Sequence, residues 1–177
     1  MTGSPIVVRQ ALPEDSAEVA RVIEAAWREY AELLGELWEP YVADLADVEG
    51  RATHGTVLLA EVDGHVAGTV TYYLPGGAGN RPDWSWWPGT YAYLRALGVD
   101  PAHRGHGVGR ALSLAVVGAA RAAGAEGVAL NTIKFMASAI ALYESLGFRT
   151  IGRDLEWEGL AMLSYTLAFD EMEVSGW

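Results

Sequence analysis

The chain contains no cysteine. That excludes a disulfide framework, a thiol nucleophile and any metal site built on thiolates. Lysine is nearly absent as well: Lys134 stands alone beside eleven arginines, and the formal net charge is −11. Such a balance argues against non-specific nucleic-acid binding, which depends on neutralising phosphates with basic side chains. It suits a cationic partner such as an amine, attracted at long range, and it equally keeps a protein in solution. Long apolar runs are missing too. No segment reaches the ~18 uncharged apolar residues of a membrane helix, and the most apolar stretch, Val108 to Ala123, is interrupted by Arg110 and Arg121. Met1-Thr2-Gly3-Ser4-Pro5 lacks the basic start and apolar run of a secretory leader, so a cytoplasmic protein is the expectation. With 177 residues, 51% of them hydrophobic, and neither repeats nor a dividing linker, one domain over 1–177 is expected.

What is present reads as alternating short strands and helices. Ile6 to Ala11 is a strand ended by Pro13, and Pro13-Glu14-Asp15-Ser16 opens a helix with acids against its dipole. Val19, Val22, Ile23, Ala26, Trp27 and Tyr30 recur at the helical period. The acidic, aromatic stretch Glu32 to Glu49 reads as a second helix after a break near Gly35 or Pro40. Thr56–Val62 and His65–Leu74 are strands, and Asp63-Gly64 between them is a two-residue hairpin signal that pairs them antiparallel. Pro75 to Thr90 is long for a connection and carries Trp84-Ser85-Trp86-Trp87. Those tryptophans could clamp an aromatic or cationic acceptor; packing on the sheet or at a dimer interface is the favoured reading. Tyr91–Val99, Gly109–Ala123 and Gly127–Thr132 make strand, helix and strand with short turns, hence a parallel βαβ unit. Phe135 to Leu146 is helical and stopped by Gly147. Phe148–Gly152 and Leu160–Phe169 are strands joined by a hairpin, Arg153 to Gly159.

The most informative stretch is Val99 to Leu112, where a turn at Asp100-Pro101 ends a strand and Gly105, Gly107 and Gly109 lead into a helix. Alternate glycines let backbone N–H groups converge with no Cβ in the way. A helix N-terminus behind them adds unpaired donors and a positive dipole end. Together they form an anion cradle, best suited to a phosphate or pyrophosphate. A P-loop needs Lys-Ser or Lys-Thr after its last glycine, and Arg110-Ala111 stands there. A dinucleotide fingerprint needs G-x-G-x-x-G and an acid at the end of the next strand. Here the spacing is G-x-G-x-G, and Glu126 precedes that strand. Both readings are therefore weak; a third option is a pyrophosphate carried by coenzyme A, and the plain alternative is a glycine-rich turn with no ligand.

Arg104-Gly105-His106-Gly107-Val108-Gly109, preceded by Leu97-Gly98-Val99-Asp100-Pro101, resembles the acetyl-CoA-binding motif of the GNAT N-acetyltransferase superfamily, Arg/Gln-x-x-Gly-x-Gly/Ala at a helix start. Ala139-Ile140-Ala141-Leu142-Tyr143-Glu144-Ser145-Leu146-Gly147-Phe148 is similar to that superfamily's A-x-x-L-Y-x-x-x-G-F. The element order βααβββαβαββ extends the resemblance over nearly the whole chain. It implies an α/β (α+β) fold: a mixed, mostly antiparallel central sheet of about seven strands, with a central parallel βαβ unit and flanking helices.

The resemblance also implies direct acetyl transfer from acetyl-CoA to an amine of a small molecule or peptide, with no metal, and makes a homodimer an option. The amine must lose a proton, because a free alkylamine has a pKa near ~10. Charge developing on the acyl oxygen needs a donor, and the departing thiolate leaves more easily once protonated. The resemblance gives the oxygen to the Val99 N–H, the pantetheine arm to Leu97 and Gly98, and the pyrophosphate to the N–H groups of Arg104, Gly105, His106, Gly107, Val108 and Gly109. Arg104 or Arg110 adds positive charge, and His103 and His106 are ordinary loop residues. Asn131 joins the cofactor-binding set, and Met136 flanks the same cleft. Tyr143 is the expected general acid. Many relatives carry glutamate on the strand before the glycines, but Ala92-Tyr93-Leu94-Arg95-Ala96-Leu97 puts Tyr93 there. The base is therefore open between a water chain and Glu36, Glu61, Glu156 or Glu158. The competing reading is a non-catalytic acyl-CoA-binding sensor or subunit, which Tyr93 favours and Tyr143 disfavours.

Overall fold

The computed structural model describes residues 4–77, 79, 86–152 and 155–170. Trp84 and Arg153 therefore lie outside the described residues. Eight strands form one sheet in the order β1-β2-β3-β4-β5-β8-β6, and β7 also pairs with β8. They are β1 (Ile6–Gln10), β2 (Thr56–Val62), β3 (His65–Tyr73), β4 (Tyr91–Val99), β5 (Gly127–Ile133), β6 (Arg149–Thr150), β7 (Leu155–Trp157) and β8 (Leu160–Ala168). The helices are α1 (Ser16–Trp27), α2 (Ala31–Leu34), α3 (Trp38–Ala46), α4 (Val48–His54), α5 (Val108–Ala122) and α6 (Ala137–Ser145). The chain divides into two compact units: residues up to 71 with 96–115, and residues 72–95 with those from 116 onward.

In the first unit, β1 pairs antiparallel with β2 from Ile6↔Val62 to Gln10↔Leu58. Arg9 locks this edge to the start of α1, donating to Asp15 at 2.6 Å and to Glu61 at 2.7 Å. The Arg9 guanidinium, helped by the Leu12 N–H, holds the Asp15 carboxyl below its ordinary range against the opposing effect of burial. Asp63 and Gly64 turn the β2–β3 hairpin with φ of 51° and 78°, the left-handed pair that a two-residue loop requires. Val19, Val22, Ile23, Ala26 and Trp27 form the buried face of α1. Val19 and Val22 pack with Val48, Val57, Leu59 and Val66.

Two glycines set how closely helices approach this sheet. A Cβ on Gly98 would sit 3.0 Å from Ile23 Cδ1 and 3.1 Å from Ala26 Cβ, so α1 lies directly on β4. A Cβ on Gly68 would sit 2.7 Å from Val108 Cγ1, 3.0 Å from Leu112 Cδ1 and 3.1 Å from the Gly98 carbonyl oxygen. The first turns of α5 thus rest on β3 with no room for a methyl group.

In the second unit, β4 runs parallel to β5 from Tyr91↔Gly127 to Leu94↔Leu130, and β5 pairs antiparallel with β8 from Gly127↔Ala168 to Ile133↔Met162. The parallel pair with an intervening helix is the βαβ unit expected above. β6 and β7 both pair antiparallel with β8.

The structure adds to and corrects several sequence expectations. The helical break is at Gly35, whose φ of 55° only glycine adopts easily, and not at Pro40. Pro40 lies in the first turn of α3, where a missing N–H costs no intrahelical bond. Helix α4 was not anticipated; it is capped by Asp47, which accepts from the Gly50 N–H at 2.9 Å. The stretch expected as a plain hairpin contains the eighth strand, β7, turned into β8 by Glu158 and Gly159 with φ of 49° and 79°. Among the described residues no helix is long and apolar enough to cross a membrane.

Gly68→Ala is expected to destabilise the protein by about 1–3 kcal/mol, because the added methyl must displace α5 or the β4 backbone. Urea denaturation measures it; an unchanged midpoint would mean that the helix shifts freely.

Candidate active site

The cofactor-binding residues inferred from the sequence, apart from Asn131, fall in the first unit, at the end of β4, the loop after it and the first turn of α5. Within β4, Ala96 is buried and left-handed, with φ of 56°. A non-glycine residue there costs about 1–2 kcal/mol and breaks the regular pleat of the strand. Leu97 and Val99 are then half-exposed, while Gly98 between them is buried under α1.

Asp100 stops the strand. Its backbone N–H donates to the Ala67 carbonyl at 2.9 Å, and its carboxylate accepts from the Ala102 N–H at 3.0 Å. That side chain caps the short 3-10 turn Pro101–His103. Arg21 of α1 donates to the same carboxylate at 3.0 Å. Burial pushes the Asp100 pKa up, yet the Ala102 N–H and Arg21 outweigh it, and the group is held below its ordinary value.

Beyond this anchor the backbone is open. Residues 104–107 are exposed, and Gly105 and Gly107 have φ of 76° and 87°. The Gly107 carbonyl accepts the first helical bond of α5 from the Ala111 N–H at 2.9 Å. The N–H groups of Val108, Gly109 and Arg110 therefore lie in the first turn, where no carbonyl of the helix can reach them. Val108 is buried, so this end of the helix is seated in the core. The anion cradle expected from the spacing would be built from these open donors.

Arg104 and Arg110 differ. The Arg110 side chain is exposed in the first turn of α5. The Arg104 guanidinium is engaged with the end of α1, donating to the Ala26 carbonyl at 2.9 Å and pairing with Glu29 at 2.7 Å. It ties the cradle loop to α1 from one side as Asp100–Arg21 does from the other. The loop chemistry was legible from the glycines, but neither tie was, since ion-pair partners distant in sequence leave no local signal.

Asn131 and Tyr143 belong to the second unit. Asn131 on β5 faces Ser164 on β8 across the ladder and accepts from its hydroxyl. The Asn131 amide nitrogen is buried and has no hydrogen-bond partner among the described residues, so it is a donor held ready. Met136 precedes α6, and its sulfur accepts from the Thr132 hydroxyl at 3.7 Å. Tyr143 is 5% exposed on α6, with its ring centroid 5.8 Å from Phe148 and 6.4 Å from Tyr165.

Tyr93, the residue at the position where the resemblance led a glutamate to be sought, is the middle ring of a buried stack. Trp87 lies 5.2 Å from it and Tyr73 6.1 Å, both nearly parallel. Trp87 of the tryptophan-rich loop is 2% exposed and packs on the sheet, whereas Trp86 is 47% exposed. Of the four glutamates weighed as bases, Glu61 is taken by Arg9. Glu36, Glu156 and Glu158 are exposed.

A model of the GNAT acetyltransferase family matches residues 19–148. The chain belongs to that family. A mouse protein described as a probable N-acetyltransferase, family 8 member 5, is 32% identical over 151 residues, covering 77% of this chain and 59% of its own. The mycothiol acetyltransferase of Thermobispora bispora is 43% identical over 60 residues, covering 34% of this chain and 20% of its own. The chain thus spans less than two thirds of the length of these relatives. Among solved structures, a GNAT family acetyltransferase from Brucella melitensis in complex with acetyl-CoA is 26% identical, with a TM-score of 0.63 over 94% of this chain and 89% of that one. A GNAT acetyltransferase from Staphylococcus aureus shares the fold, with a TM-score of 0.69, 21% identity and coverage of 93% and 99%.

Asp100→Asn tests the anchor. A carboxyl whose folded pKa is depressed stabilises above its unfolded pKa, and that stability is lost as pH falls through the folded value. The variant is expected to lose about 1 kcal/mol at neutral pH and to show a shallower fall in stability below pH ~4. Denaturation midpoints from neutral pH down to acid check it; parallel curves would remove Asp100 from the acid limb.

Proposed function

We propose that the protein is an acetyl-CoA-dependent N-acetyltransferase that passes an acetyl group directly to an amine of a small molecule or peptide. The observation that carries the reading is the cradle itself: left-handed Gly105 and Gly107 feeding the open first turn of α5. A Cβ at Gly105 would meet nothing within 4 Å, and one at Gly107 only Ile6 Cδ1 at 3.8 Å, so the loop's glycines serve conformation and open approach, not packing. Donors converging there suit a pyrophosphate. Family membership and the acetyl-CoA bound by the Brucella melitensis relative support the same occupant.

Acetyl-CoA supplies the activated acyl thioester. Gly105 through Gly109 offer backbone N–H groups to the pyrophosphate, and Arg110 adds charge in the first turn. Leu97 and Gly98 border the pantetheine arm, and the half-exposed Val99 offers its N–H to the acyl oxygen, where negative charge develops. Asn131 contributes its ready amide donor. Tyr143 supplies the proton that the departing sulfur takes up, a transfer that its phenol can make to a thiolate at neutral pH. With Tyr93 buried between two rings, the amine's own proton leaves through water. The cosubstrate supports the cytoplasm as the place of reaction.

Incubation with acetyl-CoA and a panel of amines, following free thiol release and product mass, tests this reading. Turnover of at least one amine is expected, and Tyr143→Phe should lower kcat by about 10²-fold with little change in affinity for coenzyme A. Binding of coenzyme A with thiol release only at the uncatalysed rate across the panel would overturn the transferase reading. Failure to bind coenzyme A would overturn the cradle.

A further inference from the structure

We propose that Tyr165 is a positioning residue: by donating its hydroxyl hydrogen to Glu144, it orients α6 so that the neighbouring Tyr143 presents its hydroxyl in one direction. This rests on the reading of Tyr143 as the acid. Tyr165 lies on β8, 1% exposed, held by ladder pairing with Leu130 of β5 on one side and Thr150 of β6 on the other. Its ring is therefore set by two strands. The hydroxyl donates to Glu144 Oε1 at 2.9 Å. Burial, then the Glu144 carboxylate, push the phenol up to about 12, so it remains a donor throughout the neutral range.

The recipient is a short helix that draws its stability from packing. Helix α6 has nine residues, too few to be stable by itself in water. Its end is closed by Gly147, with φ of 91°, and the Phe148 N–H returns to the Tyr143 carbonyl at 3.0 Å. Tyr143 is thus bracketed: the Phe148 ring and backbone come from after the helix, and the Tyr165 ring comes from the sheet. The hydrogen bond one residue further along adds a second tie from β8 to α6, beside the ring contact.

Glu144 does not need this bond for its own sake. It is exposed and lines an open cavity of about 350 Å³ with Gly147, Phe148, Arg149, Thr150 and Tyr165. Water can satisfy its carboxylate there, so a bond from a buried tyrosine contributes direction more than solvation.

A double-mutant cycle on kcat, with the amine turned over best in the panel, tests the proposal. Tyr165→Phe keeps the ring and removes the donor, Glu144→Ala removes the acceptor, and Glu144→Gln keeps an oxygen to accept. Tyr165→Phe and Glu144→Ala should each lower kcat by about tenfold, with KM for acetyl-CoA within about twofold. Glu144→Gln should restore most of the rate. In a Tyr143→Phe background, none of these substitutions should lower kcat further. A Tyr165→Phe loss of equal size in both backgrounds, or no loss at all, overturns the positioning role. If Tyr143→Phe by itself keeps full kcat, the acid reading fails first, and the cycle shows which of the two has failed. A readout independent of any acceptor is the resonance of ring-labelled Tyr143 in the full-length protein. It should shift or broaden in Tyr165→Phe and Glu144→Ala and return in Glu144→Gln; an unmoved resonance in Tyr165→Phe overturns the proposal.

Discussion

The first unit depends on the absence of two side chains. At Gly98 the strand admits α1 to within contact of its backbone, and at Gly68 it admits the first turns of α5. Each glycine costs strand stability, and in return the N-terminal N–H groups of α5 gain a fixed position relative to the end of β4. Val108 and Leu112, the residues that seat on Gly68, are buried almost completely. If these donors hold an anion as proposed, the seating of α5 leaves less of the helix end to order on binding. The two ion pairs from α1, Arg21 to Asp100 and Arg104 to Glu29, hold the intervening loop at both ends. All four of these side chains are partly exposed or at the surface. Their contribution lies in the loop's direction more than in global stability.

Much of this was legible from local pattern. Alternation and the Asp63-Gly64 pair predicted the β2–β3 hairpin, because a two-residue turn leaves the chain few options. The strand, glycine loop and helix from Tyr91 onward were legible because glycine at alternate positions has few other physical uses. Features that depend on distant partners were not. Ala96 is left-handed although alanine carries no turn signal. Helix α4 hides behind an N-cap, Asp47, in a stretch already full of acids. Strand β7 has three residues, too few for alternation to show. Arg104 illustrates the difference at the site: the motif fixed its place in the chain, but whether its guanidinium faces an anion or the end of α1 depends on Glu29, which lies far away in sequence.

The stack of Trp87, Tyr93 and Tyr73 places rings where the family resemblance led a carboxylate to be looked for. A carboxylate between two buried rings would be largely removed from water, and an uncompensated buried charge costs several kcal/mol, on the order of 3–5. The rings gain instead from area burial and offset stacking, about 0.5–1.5 kcal/mol per pair beyond the area term. That region of the second unit is therefore built for packing, and the aromatic residues around it form one core with Ala129. Among the described residues, the packed stack itself contains rings and no carboxylate.

For the proposed reaction, this absence interacts with the net charge of −11. A negative field enriches cations near the surface, so an ammonium ion meets the protein more often. It does not enrich the neutral amine, which carries no charge for the field to act on. The gain in ammonium is matched by an equal rise in the amine's local pKa, and the concentration of the attacking form stays as it is in bulk water. Long-range acidity therefore speeds encounter without helping deprotonation. Where water alone takes the proton, as proposed, the step would run at the rate set by the small neutral fraction. An acceptor of lower basicity escapes that limit, because more of it is already neutral. In the proposed reaction the chain's acidity and the lack of a carboxylate at position 93 would then select in opposite directions: strongly basic amines would arrive faster, and weakly basic ones would hold more of the neutral form once bound.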